Sequence, residues 1–396
     1  MSGIRETRID LVRGVSLLLI FIDHSSVSFS EAVQQSRGFS DAAELFVMMA
    51  GMSAALAYSP ASGTLDVARV LVRTWARAFR LYWIHLLLVA GLIAAVFALP
   101  ERYSSELRAI WGLDRLFAEP YGSGFDALML RYLPADLDIL PLYVLLIAAI
   151  PLFLVIIERS ARVAITLSVG LWLVVGIFHL NLPNLAAEKP VWYFNPFSWQ
   201  LVFVCGLLAG LRVRRGKPPF PYFRPLFIAA LVFALIAVPL NLLVHFSGIA
   251  DGSVFRLLLS KTSEGPLRLF NALAIVYVVF NLDALKQLAT NGLLRSVFAA
   301  GRNSMPVFVT GTILSAIVTA CVIANGSLAL PLELLAVIFG VALQLALALE
   351  RDRRKQKPSG EPKQSLMVAS QADHDYGYVA TTPPAPIEDV ASPPTT

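Results

Sequence analysis

The chain is 396 residues long, 57% hydrophobic and only 15% charged, with a formal net charge of +5. Soluble domains of this size carry about 25% charged residues, so a water-exposed globular fold is excluded and most of the surface must face lipid. The small positive charge implies no nucleic-acid partner; where the basic residues fall matters more than their sum.

A helical span needs roughly 20 apolar residues. Ten segments qualify, at about 11–30, 39–58, 78–99, 138–157, 163–181, 196–211, 225–245, 267–285, 303–323 and 328–349. Arg8, Asp10 and Arg13 lead straight into the first with no small-residue cleavage site, so it reads as a retained span and not a signal peptide. With a cytoplasmic amino terminus, 23 of the 32 lysines and arginines fall on cytoplasmic segments and 9 outside. This asymmetry predicts an all-α, polytopic membrane helical bundle of about ten transmembrane helices with both termini cytoplasmic. Residues 1–349 form the expected membrane domain. Residues 350–396 open with Arg351, Arg353, Arg354, Lys355 and Lys357, then turn polar and Pro-rich, as expected of a disordered cytoplasmic tail. The longest outer loop, about 100–137, has mixed charges that suit a short interfacial helix. Cys205 and Cys321 lie in apolar runs and read as small buried residues without a disulfide.

The first span, RIDLVRGVSLLLIFIDHSS, holds charges that are costly inside a membrane unless paired or functional. Arg13 and His24 are eleven residues apart, a rotation within about 20° of three full turns and a rise of about 16 Å. One helix face therefore offers a cation for an anionic donor near its cytoplasmic end and a titratable imidazole beyond the midplane. An imidazole suits general-base work on a hydroxyl that must attack a thioester. Asp23 sits beside His24, but adjacent side chains on a helix diverge by about 100°. Asp41 and Glu44, three residues apart at the start of the second span, share a face at the same outer level. Glu44 is the better placed of these acids to orient His24, and Asp41 to accept from sugar hydroxyls. Ser40 or Asp41 also suits a helix N-cap, and Gly51 suits close helix packing.

Before the third span, Arg69, Arg73, Arg77 and Arg80 follow spacings of 4, 4 and 3 and make one basic stripe. Such a stripe can hold the phosphates of a nucleotide-like donor such as coenzyme A; ordinary positive-inside charge is the rival reading. Arg77, Arg80 and His85 are its deeper members. The outer loop EKPVWYFNPFSWQLVF clusters Trp192, Tyr193, Phe194, Phe197 and Trp199 with Asn195 and Gln200, either as an interfacial aromatic belt or as a sugar platform. Asp136 and Asp138 lie at that same level. The chain has no P-loop, no GxGxxG, no GxSxG and no CxxC or HExxH pattern. His85, His179, His245 and His374 lack metal-ligand spacing, so no metal is expected.

Arg13 with ten intervening residues and then His24 resembles the signature of the transmembrane acyltransferase-3 superfamily. More closely, RIDLVRG with FIDH, GFSDAAELFVMMAGMSAAL, RLYWIH, LDILPLYV, FNPFSWQ and GRNSMPVF resemble the OpgC family over about residues 5–345. The resemblance implies an inner-membrane enzyme of bacteria that places succinyl groups on osmoregulated periplasmic glucans. It implies cytosolic succinyl-coenzyme A as co-substrate, no permanently bound cofactor, and Arg13 and His24 as the essential pair. The expected catalytic set is His24, Arg13, Asp23 and Glu44, with donor contacts from Arg13, Arg77, Arg80 and His85. The expected acceptor contacts are Asp41, Asp138, Trp192, Asn195, Trp199 and Gln200. Membrane lipids, acyl-coenzyme A and a periplasmic glucan are the expected partners. A transporter or flippase using the same groups as a proton relay, and an acyltransferase acting on another exported glycan, are the alternatives the residues leave open.

Overall fold

A computed structural model describes residues 6–60, 64–186, 190–247, 253–288, 294–326 and 328–356. Among them every regular element is helical, and each of the ten apolar segments falls on helix. Helix α1 (Thr7–Asp23) starts under Glu6, whose carboxylate accepts from the Arg8 backbone N–H. It ends at Asp23, short of the expected residue 30, because the polar run behind it unwinds the chain. Ser25 Oγ donates back to the Phe21 carbonyl and Ser26 takes a left-handed φ of 48°. His24 is thus the C-cap of α1, and a short α2 (Ser30–Gln35) follows.

Helix α3 (Ala42–Tyr58) opens with a full capping box between Asp41 and Glu44. Helix α4 (Val67–Ala98) runs for 32 residues under an Asp66 cap, so the arginine stripe is its first half. Its buried residues Val70, Thr74, Ala78, Leu81, His85, Val89, Leu92 and Val96 recur every three or four positions. Its opposite face exposes Trp75, Phe79, Trp83 and Leu87, a stripe that water would not tolerate and lipid would. The long loop of about 100–137, expected to be an outer one with a single short helix, holds three: α5 (Glu101–Ile110), α6 (Asp114–Ala118) and α7 (Pro120–Leu128).

The expected span 138–157 is two helices, α8 (Ile139–Ala148) and α9 (Ile150–Arg159), bent by 48°. Pro151 removes an N–H there and its ring clashes with the carbonyl one turn back. After α10 (Ala161–Phe178), Asn195 caps α11 (Pro196–Arg214), whose proline occupies the first turn. The rest are α12 (Arg224–Phe246), α13 (Ser253–Leu258), α14 (Pro266–Asn281), α15 (Ala284–Gln287), α16 (Arg295–Arg302), α17 (Ser304–Ala324) and α18 (Leu330–Gln356). The expected tail from residue 350 therefore begins within α18, and residues from 357 onward lie outside the described ones.

Among the described residues six helices are long and apolar enough to cross a membrane: α4, α10, α11, α12, α17 and α18. The bent α8–α9 pair makes a seventh if it is one span, and α3 and α14 are shorter apolar helices. Helices α1, α3 and α11 form the centre. There α3 and α11 touch backbone to backbone, because a methyl group added at Gly51 would collide with the Phe203 carbonyl. Cys205 is largely buried on α11, and Cys321 is exposed on α17 instead of buried; both are free thiols.

Candidate functional site

Helix α1 delivers its two chemical side chains to two different cavities. The first, of about 700 Å³, is lined by Arg13, Arg73, Arg77, Arg80, Tyr58 and Tyr143 among others. Arg13 donates to Ser53 Oγ on α3 at 3.3 Å and to Ser304 Oγ on α17. Its guanidinium lies 5.9 Å from the Phe46 ring, and its Nε is buried without a partner. Tyr143 packs edge-on against the same ring at 5.5 Å, and its buried hydroxyl also has no partner. Two buried polar atoms left open beside four arginines make a receptor for an anion bearing further hydrogen-bond acceptors. Arg77 and Arg80 line the same cavity as Arg13. Arg69 does not reach this wall, and neither does His85. The His85 ring is fully buried in α4 with both nitrogens unpartnered.

The second cavity, of about 320 Å³, gathers Asp23, His24, Asp41, Asp136, Asp138 and Lys261. His24 Nδ1 lies 2.7 Å from the Ile20 carbonyl. A carbonyl only accepts, so Nδ1 carries the hydrogen and Nε2 is the nitrogen left to exchange a proton. That Nε2 is 3.5 Å from Asp136 Oδ1, with both side chains over a third exposed. Asp23 is engaged instead by Arg37, which donates to both its oxygens at 3.0 and 2.7 Å. Glu44 does not approach His24 either. It is fully buried, accepts from the Asp41 backbone N–H at 3.0 Å and is clamped by Arg268 Nε at 2.7 Å. The capping box needs the Glu44 side chain turned back onto its own helix start, and that geometry takes it away from α1.

Asp41 caps α3 through Ala43 N and carries Lys261 Nζ at 2.5 Å and Arg268 at 3.2 Å. Burial works against the Lys261 ammonium, yet Asp41 beside it, with Tyr193 and Glu44, raises its pKa above the ordinary lysine range. The ammonium also sits 5.5 and 5.6 Å over the rings of Tyr193 and Phe194. Near this cluster Glu264 holds a left-handed φ of 48°, and neither of its buried carboxylate oxygens has a partner. Burial, with Glu44 and Asp41 adding like charge, pushes its carboxyl well above the usual range. Asp138 has one carboxylate oxygen buried with no partner on the same cavity wall.

Four residues expected at the acceptor site lie elsewhere. Trp192 is buried, with its backbone N–H on the Leu182 carbonyl. Asn195 donates to the Leu180 carbonyl at 2.6 Å while capping α11, Trp199 donates to the Lys261 carbonyl at 2.9 Å, and Gln200 to the Ser168 carbonyl at 2.9 Å. The Asn195, Trp199 and Gln200 side chains thus tie segments of the fold together, and Tyr193 and Phe194 supply the aromatic wall of the cavity instead. Lys261, Arg268, Arg37 and Tyr143 were not foreseen. Arg268 had a legible signal, because it is the charge that shortens the apolar stretch of the eighth segment.

The two cavities share Ile139 in their walls. Phe308, which lines the Arg13 cavity, also lines a narrow crevice that ends on His24 and Asp136. Among the described residues no three His, Cys, Asp or Glu side chains are placed to hold one metal ion. A basic cavity and an acidic one, set along one buried helix amid span-length apolar helices, define a multi-pass helical membrane protein with a polar interior. The model of the OpgC protein family matches residues 5–356, and the chain belongs to that family. Membership suggests a membrane acyltransferase. No curated protein and no solved structure matches the chain.

Proposed function

We propose that this protein is an O-acyltransferase of the bacterial inner membrane that moves an acyl group, succinyl by family resemblance, from cytosolic acyl-coenzyme A to hydroxyls of a periplasmic glucan. The reading includes ten spans with both termini cytoplasmic, so that the Arg13 cavity opens inward and the His24 cavity outward. One observation carries it: a single helix holds Arg13 in a basic cavity and a part-exposed imidazole in an acidic one, and Ile139 lines both cavities. The donor's phosphates meet Arg13, Arg73, Arg77 and Arg80, and its thioester reaches past Phe308 and Ile139 toward His24. An acceptor hydroxyl enters among Asp41, Asp138 and Tyr193. Nε2 of His24 takes the hydroxyl proton as the oxygen attacks the thioester carbonyl carbon. The carbon–sulfur bond breaks, the thiolate takes the proton from the imidazolium, and the products are an ester and free coenzyme A thiol. Exposed apolar flanks such as that of α4 make lipid the remaining partner.

The test is a gene deletion followed by charge and mass analysis of the periplasmic glucans, complemented with wild type and with His24→Ala. Loss of an anionic substituent, restored by wild type and not by a well-expressed His24→Ala, is the expected outcome. Unchanged glucans in the deletion refute the acceptor, and full restoration by His24→Ala refutes the base.

A further inference from the structure

We infer that Asp136 is the positioning residue of His24: its carboxylate faces the reactive Nε2 and sets the approach to it, and the outer loop is folded to hold it there. The inference rests on the reading of His24 as the base.

The geometry around His24 leaves one acid for this work. Asp23, Asp41, Asp138 and Lys261 line the same cavity. Asp23 is held on Arg37, and Asp41 on Lys261 and Arg268. Among the described residues only Asp136 brings a carboxylate within 4 Å of the ring, at 3.5 Å. The Ile20 carbonyl fixes Nδ1 from the other side, so the ring is oriented by two partners and Nε2 points at Asp136. A carboxylate there is placed to accept from the Nε2 hydrogen once a hydroxyl proton has been taken. It also leaves a second acceptor beside the attacking hydroxyl.

The backbone supports a selected role. Asp136 has φ 68°, a left-handed conformation that glycine adopts freely and aspartate only at some cost. The segment around it is pinned by distant loops. Ala135 N donates to the Trp111 carbonyl at 3.0 Å, Leu133 exchanges two bonds with Asn184, and Leu185 N donates to the Arg131 carbonyl at 2.7 Å. Three outer segments thus hold one strained aspartate against the C-cap of α1. The carboxylate is thereby held within 4 Å of the imidazole.

Asparagine tolerates the left-handed region as aspartate does, so Asp136→Asn removes the charge and keeps the fold; Asp136→Gly also relieves the strain. Two measurements test the inference on full-length protein in detergent. The first is the rate of His24 carbethoxylation by diethyl pyrocarbonate at one fixed pH, read by peptide mass spectrometry. The second is initial-rate transfer from labelled succinyl-coenzyme A to glucan isolated from the deletion strain. In both variants the carbethoxylation rate is expected to change severalfold, because the carboxylate that faces Nε2 is gone. The kcat is expected to fall roughly tenfold to a hundredfold with the KM for donor unchanged, while Asp136→Gly unfolds no earlier than wild type. An unchanged carbethoxylation rate overturns the inference whatever the activity. A changed rate with normal kcat overturns it as a statement about the reaction. A wild-type protein that transfers no acyl group to this glucan, while Asp136 still governs the reactivity of His24, sinks the acyltransferase reading and leaves the pairing standing.

Discussion

Arg13→Lys keeps a positive charge on α1 and loses the planar fork. In the structure that fork spans two helices, with one Nη on Ser53 of α3 and the other on Ser304 of α17, and it leaves a buried Nε without a partner, which on the proposed function is free for the donor. A lysine ammonium is a single point and cannot hold both hydroxyls and still present a second donor. One charge-assisted hydrogen bond lost to an anionic ligand costs about 2 kcal/mol. At 1.4 kcal/mol per decade this is roughly a thirtyfold rise in the donor's apparent dissociation constant. The assay is initial-rate transfer as a function of succinyl-coenzyme A, with free coenzyme A as a competitor and glucan saturating. Expected are a KM for donor and an inhibition constant for coenzyme A that rise together by about that factor. The KM for glucan should stay unchanged, because the acceptor enters the other cavity. If Arg13→Lys binds coenzyme A as tightly as wild type, the basic cavity is not the donor site and the reasoning fails.

Tyr143→Phe removes a buried hydroxyl that has no partner within the fold. With no bond of the fold to lose, the variant is expected to melt no earlier than wild type, whereas a donor contact predicts a donor KM raised by roughly threefold to tenfold, about 1 kcal/mol for a neutral hydrogen bond. An unchanged KM assigns Tyr143 to packing alone. Glu264→Gln tests the charge cluster behind the outer cavity. The Glu264 carboxyl is pushed well above the ordinary 4.5 by burial, then by Glu44 and Asp41. It stays protonated in the fold and ionises on unfolding. Its contribution to stability is therefore full below about pH 4.5 and is lost as pH rises toward the folded-state value. The glutamine variant should match wild type near pH 4 and melt later than wild type above pH 7 in detergent. Parallel melting curves across pH 4 to 9 would show that Glu264 is ionised in the fold.

Much of this protein was legible from local pattern. A run of roughly 20 apolar residues has few alternatives in a membrane, because every backbone N–H and C=O must bond within its own segment. The ten segments accordingly all fell on helix, and the capping box at Asp41 and Glu44 formed where the spacing allowed it. The eleven-residue interval on α1 likewise set Arg13 and His24 at two levels, through helix geometry alone. Only tertiary structure decided which groups meet them. The partner of His24 is Asp136 and not Glu44, because a cap turns Glu44 onto its own helix while a loop more than a hundred residues away swings Asp136 in. Asn195, Trp199 and Gln200 became struts, since each side chain donates to a backbone carbonyl of another segment, and Trp192 is buried. Lys261 and Arg268 joined Asp41 and Glu44 across more than two hundred residues. Hydrophobic period and cap spacing are local properties of a chain. The choice of ion pair and the shape of a cavity come from which distant segments are pressed together, and no local pattern encodes that.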